Sequence, residues 1–305
     1  MPRLVYIAMR RFFIFYFFVL TLTAAAQRVE VTPEDSARVV ALLMKAKTER
    51  GEENRVLYFA KQFLGLPYVA HTLENGNKEH LIVNLHEFDC TTLVETAAAL
   101  ALCDVHDQRT FKDYCHWLTT LRYRDGKLTD YTSRLHYFTW WGEDNEKLGL
   151  VTCINQDTKP TAFYEKLVTA KLWDEVQTVN VNYMTTHPGL YKHLKNNPAF
   201  VKVIRDYERI SSGKSYRYIP KRLLGGKQRN SLGIINDGDI LAMITSKAGL
   251  DTSHLGIAVW QNGRLHMLHA SSLQKKVVLD KQNLYDYQQK QTSQLGIRVF
   301  RVNEK

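Results

Sequence analysis

Phe88-Asp89-Cys90-Thr91-Thr92-Leu93-Val94-Glu95 marks a change of backbone. Upstream, Leu81-Ile82-Val83-Asn84-Leu85 is short, apolar and branched, and reads as a strand. Downstream, residues 91–103 are rich in Ala and Leu and read as a helix, with Asp89 as its N-cap. Cys90 therefore falls where strand gives way to helix. A thiol there feels the positive end of the helix dipole and is expected to lose its proton more readily. A thiolate nucleophile needs a base. The run Ser253-His254-Leu255-Gly256-Ile257-Ala258-Val259-Trp260, with His269 beyond it, supplies one.

The elements around this stretch define the fold class. Residues 33–50 are amphipathic behind Thr32-Pro33-Glu34 and read as a helix. Residues 54–64 read as a second helix, closed by Gly65 and followed by Pro67. Residues 111–121 read as another, and residues 122–145 as an aromatic loop. Between 154 and 209 helical pieces are interrupted by Pro160, Pro188 and Pro198, and residues 211–230 read as irregular and basic. Then the pattern changes. Residues 238–244 are strand-like, and two apolar runs flank Gln261-Asn262-Gly263-Arg264, where Asn-Gly signals a hairpin. Residues 296–302 alternate as a final strand. Helices first and an antiparallel sheet second make an α+β fold, with a large helical and loop insert at about residues 105–230.

The N-terminus reads as an address. Arg10 and Arg11 precede the apolar stretch 12–22, and Ala24-Ala25-Ala26 offers a small-residue cleavage site. Residues 1–26 are thus expected to be a signal peptide, leaving 27–305 as a single catalytic domain. The competing reading, an uncleaved anchor, meets a stretch short for a membrane span. The expectation is an exported protein, periplasmic or secreted, with no stable membrane anchor after cleavage.

The net charge of +10 falls to +7 once the signal's three arginines are removed. Lys and Arg are scattered, without the stripe that nucleic acid requires, so anionic cell-wall material is the more natural partner. The four cysteines, Cys90, Cys103, Cys115 and Cys153, match no disulfide scaffold; a Cys103–Cys115 bridge is compatible with export.

His254 and His269 sit at the open end of the expected hairpin, side by side across the strand pair although fifteen positions apart. One imidazole can face Cys90 while the other holds it. That is the nucleophile, base and orienter pattern of acyl transfer. Zinc held by one Cys and two His is the rival reading, but the close ligand pairs of zinc motifs are missing. No metal and no cofactor are expected.

In order along the chain come Gly65-Leu66-Pro67-Tyr68, Asp89-Cys90-Thr91-Thr92, Asp237-Gly238-Asp239-Ile240, Ser253-His254-Leu255-Gly256-Ile257 and Leu268-His269-Ala270-Ser271. This set resembles the NlpC superfamily of papain-like cell-wall hydrolases. Two departures stand out: Thr91 replaces the usual Ser, and about 145 residues separate Cys90 from Gly238. The long inserts, with Tyr131-Thr132-Ser133-Arg134-Leu135-His136-Tyr137-Phe138, resemble the N-acetylmuramoyl-L-alanine amidase branch. The resemblance implies a papain-like core with Cys90 as nucleophile, His254 as base, His269 as third polar residue and Tyr68 beside the cysteine. It implies muropeptides as substrate, hydrolysed without metal or cofactor, and a protein acting as a monomer. From the insert, His136 is expected in a substrate wall and Arg134 opposite a stem-peptide carboxylate, with an exposed, solvated Arg134 as the alternative. An endopeptidase cutting between D-Glu and the diamino acid, and a non-catalytic cell-wall binder, are the other readings.

Overall fold

Helix formation follows local caps. In the computed structural model, which describes residues 29–156, 175–225 and 232–304, helix α1 (Pro33–Glu49) starts where the Thr32 side chain accepts the Asp35 N–H. Its apolar face buries Val39, Leu42, Leu43 and Ala46. Helix α2 (Arg55–Lys61) is capped by Asn54. Helix α3 (Cys90–Val105) is buried along nearly its whole length, and α4 (Phe111–Arg122) opens with a reciprocal Thr110–Asp113 box. Further along come α5 (Phe138–Lys147), a single turn α6 (Tyr183–Thr186), α7 (Pro198–Ser211) and α8 (Leu284–Gln289).

Strands β1 (Val29–Glu30) and β2 (Leu81–Ile82) form a small parallel pair. The others are β3 (Val151–Cys153), β4 (Glu175–Thr178), β5 (Ser215–Pro220), β6 (Ile240–Thr245), β7 (Thr252–Gln261), β8 (Arg264–Ser271), β9 (Lys276–Leu279) and β10 (Gln294–Val302). They make one antiparallel sheet in the order β4-β5-β10-β6-β7-β8-β9, with β3 also on β10. The β7–β8 turn has both central residues at positive φ, Asn262 at 50° and Gly263 at 74°, as the Asn-Gly pair predicts. One sheet face, through Ile240, Leu255, Ile257 and Leu268, joins the core made with the helices that precede the sheet. The other, through Leu241, Met243, Ala258 and Met267, packs with Leu284 of α8 and with Leu224, Leu232 and Ile235. The fold is α+β.

The insert holds more regular structure than its sequence suggests. Residues 138–147 form α5 instead of a loop, β4 lies in a stretch read as helical, and residues 215–220 form β5 instead of irregular chain. Strand pairing explains β5: it lies between β4 and β10 and needs little apolar sequence of its own to be held. The expected signal peptide, residues 1–26, lies outside the described residues, as do the stretches 157–174 and 226–231 of the insert. Cys103 and Cys115 are both free thiols, so the bridge compatible with export is not formed. No helix among the described residues is long and apolar enough to cross a membrane.

Candidate active site

Cys90 is the first residue of α3. Asp89 accepts the Thr92 N–H at 2.8 Å, and the Thr92 hydroxyl accepts the Asp89 N–H at 2.9 Å. This box fixes the helix start and aims the Cys90 side chain at the sheet. There the Leu255 backbone and the Thr91 side chain favour the ionised sulfur, though less than desolvation opposes it. Cys90 is partly exposed. Even so, the surrounding protein strips enough water to push the thiol up to about 12, with the Asp89 carboxylate adding to the effect. The expectation of a readily ionised thiol is thereby corrected: desolvation outweighs the help of the helix end.

His254 is set by an irregularity in β7. Met243 of β6 pairs with His254, whereas the next residue, Ile244, pairs with Thr252, so Ser253 is extra. Such a bulge re-aims the neighbouring side chain. The His254 Nε2 lies 2.6 Å from His269 Nδ1, with the rings nearly perpendicular at 82°. The His269 Nε2 in turn lies 3.3 Å from Oδ2 of Asp280, just beyond β9. Tyr287 of α8 covers both imidazoles, its ring centroid 6.4 Å from that of His254 and 5.7 Å from that of His269. Burial lowers His254 to about 3, helped by His269. The hydrogen bond from His269 holds the Asp280 carboxyl below its ordinary range. No sequence motif singles out Asp280 or Tyr287.

A cavity of about 220 Å³ opens on Cys90, Thr91, His136, Trp141, Tyr191 and His254, among others. His136 is held by a 2.8 Å contact from Nε2 to the Tyr131 carbonyl and packs on the Tyr131 ring. Burial, then Arg134, lowers it to about 3. Tyr68 lies on a segment bridged to Phe88, two residues before Cys90. Its N–H donates to the Lys275 carbonyl at 3.0 Å, and the Phe88 N–H donates to the Pro67 carbonyl at 3.0 Å. Burial raises the Tyr68 hydroxyl, and Cys90 and Asp89 add to the rise.

Arg134 is placed differently from both expectations. It is buried, with its guanidinium donating to Glu79 at 2.9 and 2.6 Å, to Glu74 at 2.8 Å and to the Leu73 carbonyl at 3.0 Å. It ties the insert to residues 73–79 and is neither solvated nor free for a substrate carboxylate. A wider open groove of about 1530 Å³, past Arg55, Asp237 and Trp260, touches neither Cys90 nor the two histidines. Among the described residues no group of three or more His, Cys, Asp or Glu is arranged to hold a metal ion.

This chain is similar to known proteins over most of its length. Residues 58–297 match the AmiA-like family, described as N-acetylmuramoyl-L-alanine amidase-like. An N-acetylmuramoyl-L-alanine amidase from Bacteroides uniformis is 36% identical, with a TM-score of 0.73 over 82% of this chain and 97% of that one. A Bacteroides fragilis protein, provisionally described as a xylanase, is 41% identical, with a TM-score of 0.71 over 81% of this chain and 100% of that one. A Legionella pneumophila protein of 22% identity and TM-score 0.63 shares the fold, over 88% of this chain and 94% of its own. No curated protein sequence matches. The chain belongs to the AmiA-like family of N-acetylmuramoyl-L-alanine amidase-like proteins.

Proposed function

We propose that this protein is a papain-like, NlpC-type cysteine hydrolase that cuts the amide between N-acetylmuramic acid and L-Ala in peptidoglycan fragments. The observation that carries the reading is the meeting of Cys90 and His254 on one cavity, with His254 Nε2 held 2.6 Å from His269. Since Nε2 is engaged, Nδ1 is the nitrogen left to take the thiol proton. Burial favours a neutral thiol and a neutral imidazole at rest. Proton transfer then accompanies attack of sulfur on the amide carbon instead of preceding it. The oxyanion meets the Cys90 N–H, one of the free donors at the start of α3. His254 next gives its proton to the leaving amine, and the acyl group remains on sulfur. Water, deprotonated by His254, hydrolyses the thioester and restores the thiol.

The matched amidase from Bacteroides uniformis supports the bond assignment, and muropeptides, particularly anhydro-muropeptides, are the substrates we infer. His136 lines the cavity with Cys90 and His254, and Tyr68 lies on the segment bridged to Phe88; both are assigned to substrate contact. Residues 27–305 act as one catalytic unit, a monomer exported behind residues 1–26 and needing neither nucleic acid nor a membrane anchor. Digestion of purified anhydro-muropeptide followed by mass spectrometry tests this. Release of a peptide-free disaccharide supports the amidase. A shortened stem still on sugar would instead mean an endopeptidase. Full activity in Cys90→Ala would overturn the cysteine mechanism, and no cleavage of any fragment would leave a binding protein.

A further inference from the structure

Resting on the base role given to His254, we propose that Asp280 is a positioning residue that sets the tautomer of both imidazoles and so decides which nitrogen of His254 is the base. The argument is a chain of donors and acceptors. An ionised carboxylate only accepts hydrogen bonds. Asp280 is 4% exposed, and its Oδ1 accepts the Gln282 N–H at 2.8 Å. The Oδ2 faces His269 Nε2 at 3.3 Å and accepts from Gln274 Nε2 at 3.5 Å. His269 must therefore carry its proton on Nε2. A neutral imidazole has one donor and one acceptor, so His269 Nδ1 accepts. The contact across the 2.6 Å gap must then be donated by His254 Nε2. The lone pair of His254 is left on Nδ1, the nitrogen not engaged by His269, on a residue that shares a cavity with Cys90.

The carboxylate thus acts through two rings without touching the reacting atoms. The Asp280 N–H donates to the Met267 carbonyl at 2.9 Å, which fixes the residue beside β8. Its backbone carbonyl contacts His266 Nδ1 at 3.1 Å. The carboxylate is consequently held to one orientation.

Asp280→Asn tests this sharply because the Gln282 N–H needs an acceptor. The amide oxygen stays at the closer Gln282 N–H, 2.8 Å against 3.5 Å for Gln274, and the NH₂ is turned toward His269 and toward Gln274, whose amide flips to present its oxygen. Every proton in the chain must then reverse: His269 Nε2 accepts, His269 Nδ1–H donates to His254 Nε2, and His254 carries its proton on Nδ1. The base has lost its lone pair with almost no change of shape.

The experiment is ¹⁵N NMR of the imidazoles in full-length wild type and D280N at neutral pH, with steady-state kinetics on anhydro-muropeptide. In wild type, His254 Nε2 and His269 Nε2 are expected to be the protonated nitrogens. In D280N both rings are expected to swap, with kcat reduced ~10³–10⁴-fold, as when an orienting carboxylate is amidated in a serine protease, and KM little changed. Unaltered tautomers in D280N, or a wild-type His254 protonated on Nδ1, would overturn the proposal. The wild-type measurement decides even where D280N fails to fold. The NMR readout needs no substrate, so swapped tautomers in a protein inactive on every muropeptide would sink the amidase reading and leave the role of Asp280 standing.

Discussion

Gly256 passes directly beneath His269: a Cβ placed there would lie 3.5 Å from the His269 Cβ and 3.1 Å from the Met267 sulfur. A lone Cβ would press on Met267 and only touch His269, so it is a branched side chain that would crowd the His269 ring. A valine at this point adds two methyls to that contact. Gly256→Val is expected to displace the His269 ring and lower kcat on the order of 100-fold, the cost of a misplacement near 1 Å. Steady-state kinetics checks it; unchanged kcat in a folded variant would show that the ring does not depend on that space.

The pH profile should be unusually flat. Burial disfavours the imidazolium, so His254 stays a base well below the ordinary histidine value of 6.5, down to about 3. Burial disfavours the thiolate, so Cys90 stays a thiol up to about 12. kcat/KM reports groups of the free enzyme. A plateau from roughly pH 5 to 9, without an inflection near 6.5, is expected. A clear ionisation near 6.5 would mean that His254 is open to water.

Stability, by contrast, should fall in acid. His136 and His254 both titrate at about 3 when folded, against 6.5 for an ordinary histidine. Below 6.5 the unfolded chain binds protons that the folded one refuses. The stability associated with these residues is therefore complete above 6.5 and erodes as pH falls toward 3. His136→Gln removes one such site. Its unfolding free energy should depend on pH less steeply, by about 1.4 kcal/mol per pH unit in the middle of that window. Denaturant melts at several pH values would show a parallel slope if His136 were solvated.

Arg134 should matter to the fold and not to substrate affinity. Its side chain and that of its partner Glu79 are 8% and 3% exposed. Removing one partner of such a pair leaves a buried charge, at a cost of about 3–5 kcal/mol. Arg134→Ala should melt earlier, and adding Glu79→Gln should recover part of the loss. A higher KM with unchanged melting would return Arg134 to the substrate.

The parts written in local sequence were legible. Asp89 beside Cys90 announces a capped helix, and Asn262-Gly263 announces the hairpin that joins His254 to His269. The parts that depend on partners were not. Asp280 belongs to no motif and reaches His269 only because β9 pairs with β8, His269 opposite Val278. Tyr287 sits on a six-residue helix whose apolar pattern is too short to read. The helix at Trp140 and Trp141 lacks a side-chain cap, and aromatic residues are mediocre helix formers, so its sequence reads as a loop. The thiol's resistance to ionisation is equally hidden, because the helix end is visible in one dimension and desolvation is not.

Cys90 opens the helix that fills the middle of the interior, and His254 lies on a strand with neighbours on both sides. Neither can be released by a loop swinging away. Regions of this kind exchange their amide protons only when the whole molecule opens. Warming should therefore extinguish turnover in a single step, simultaneous with loss of protection along α3, and no folded but idle species should accumulate on the way.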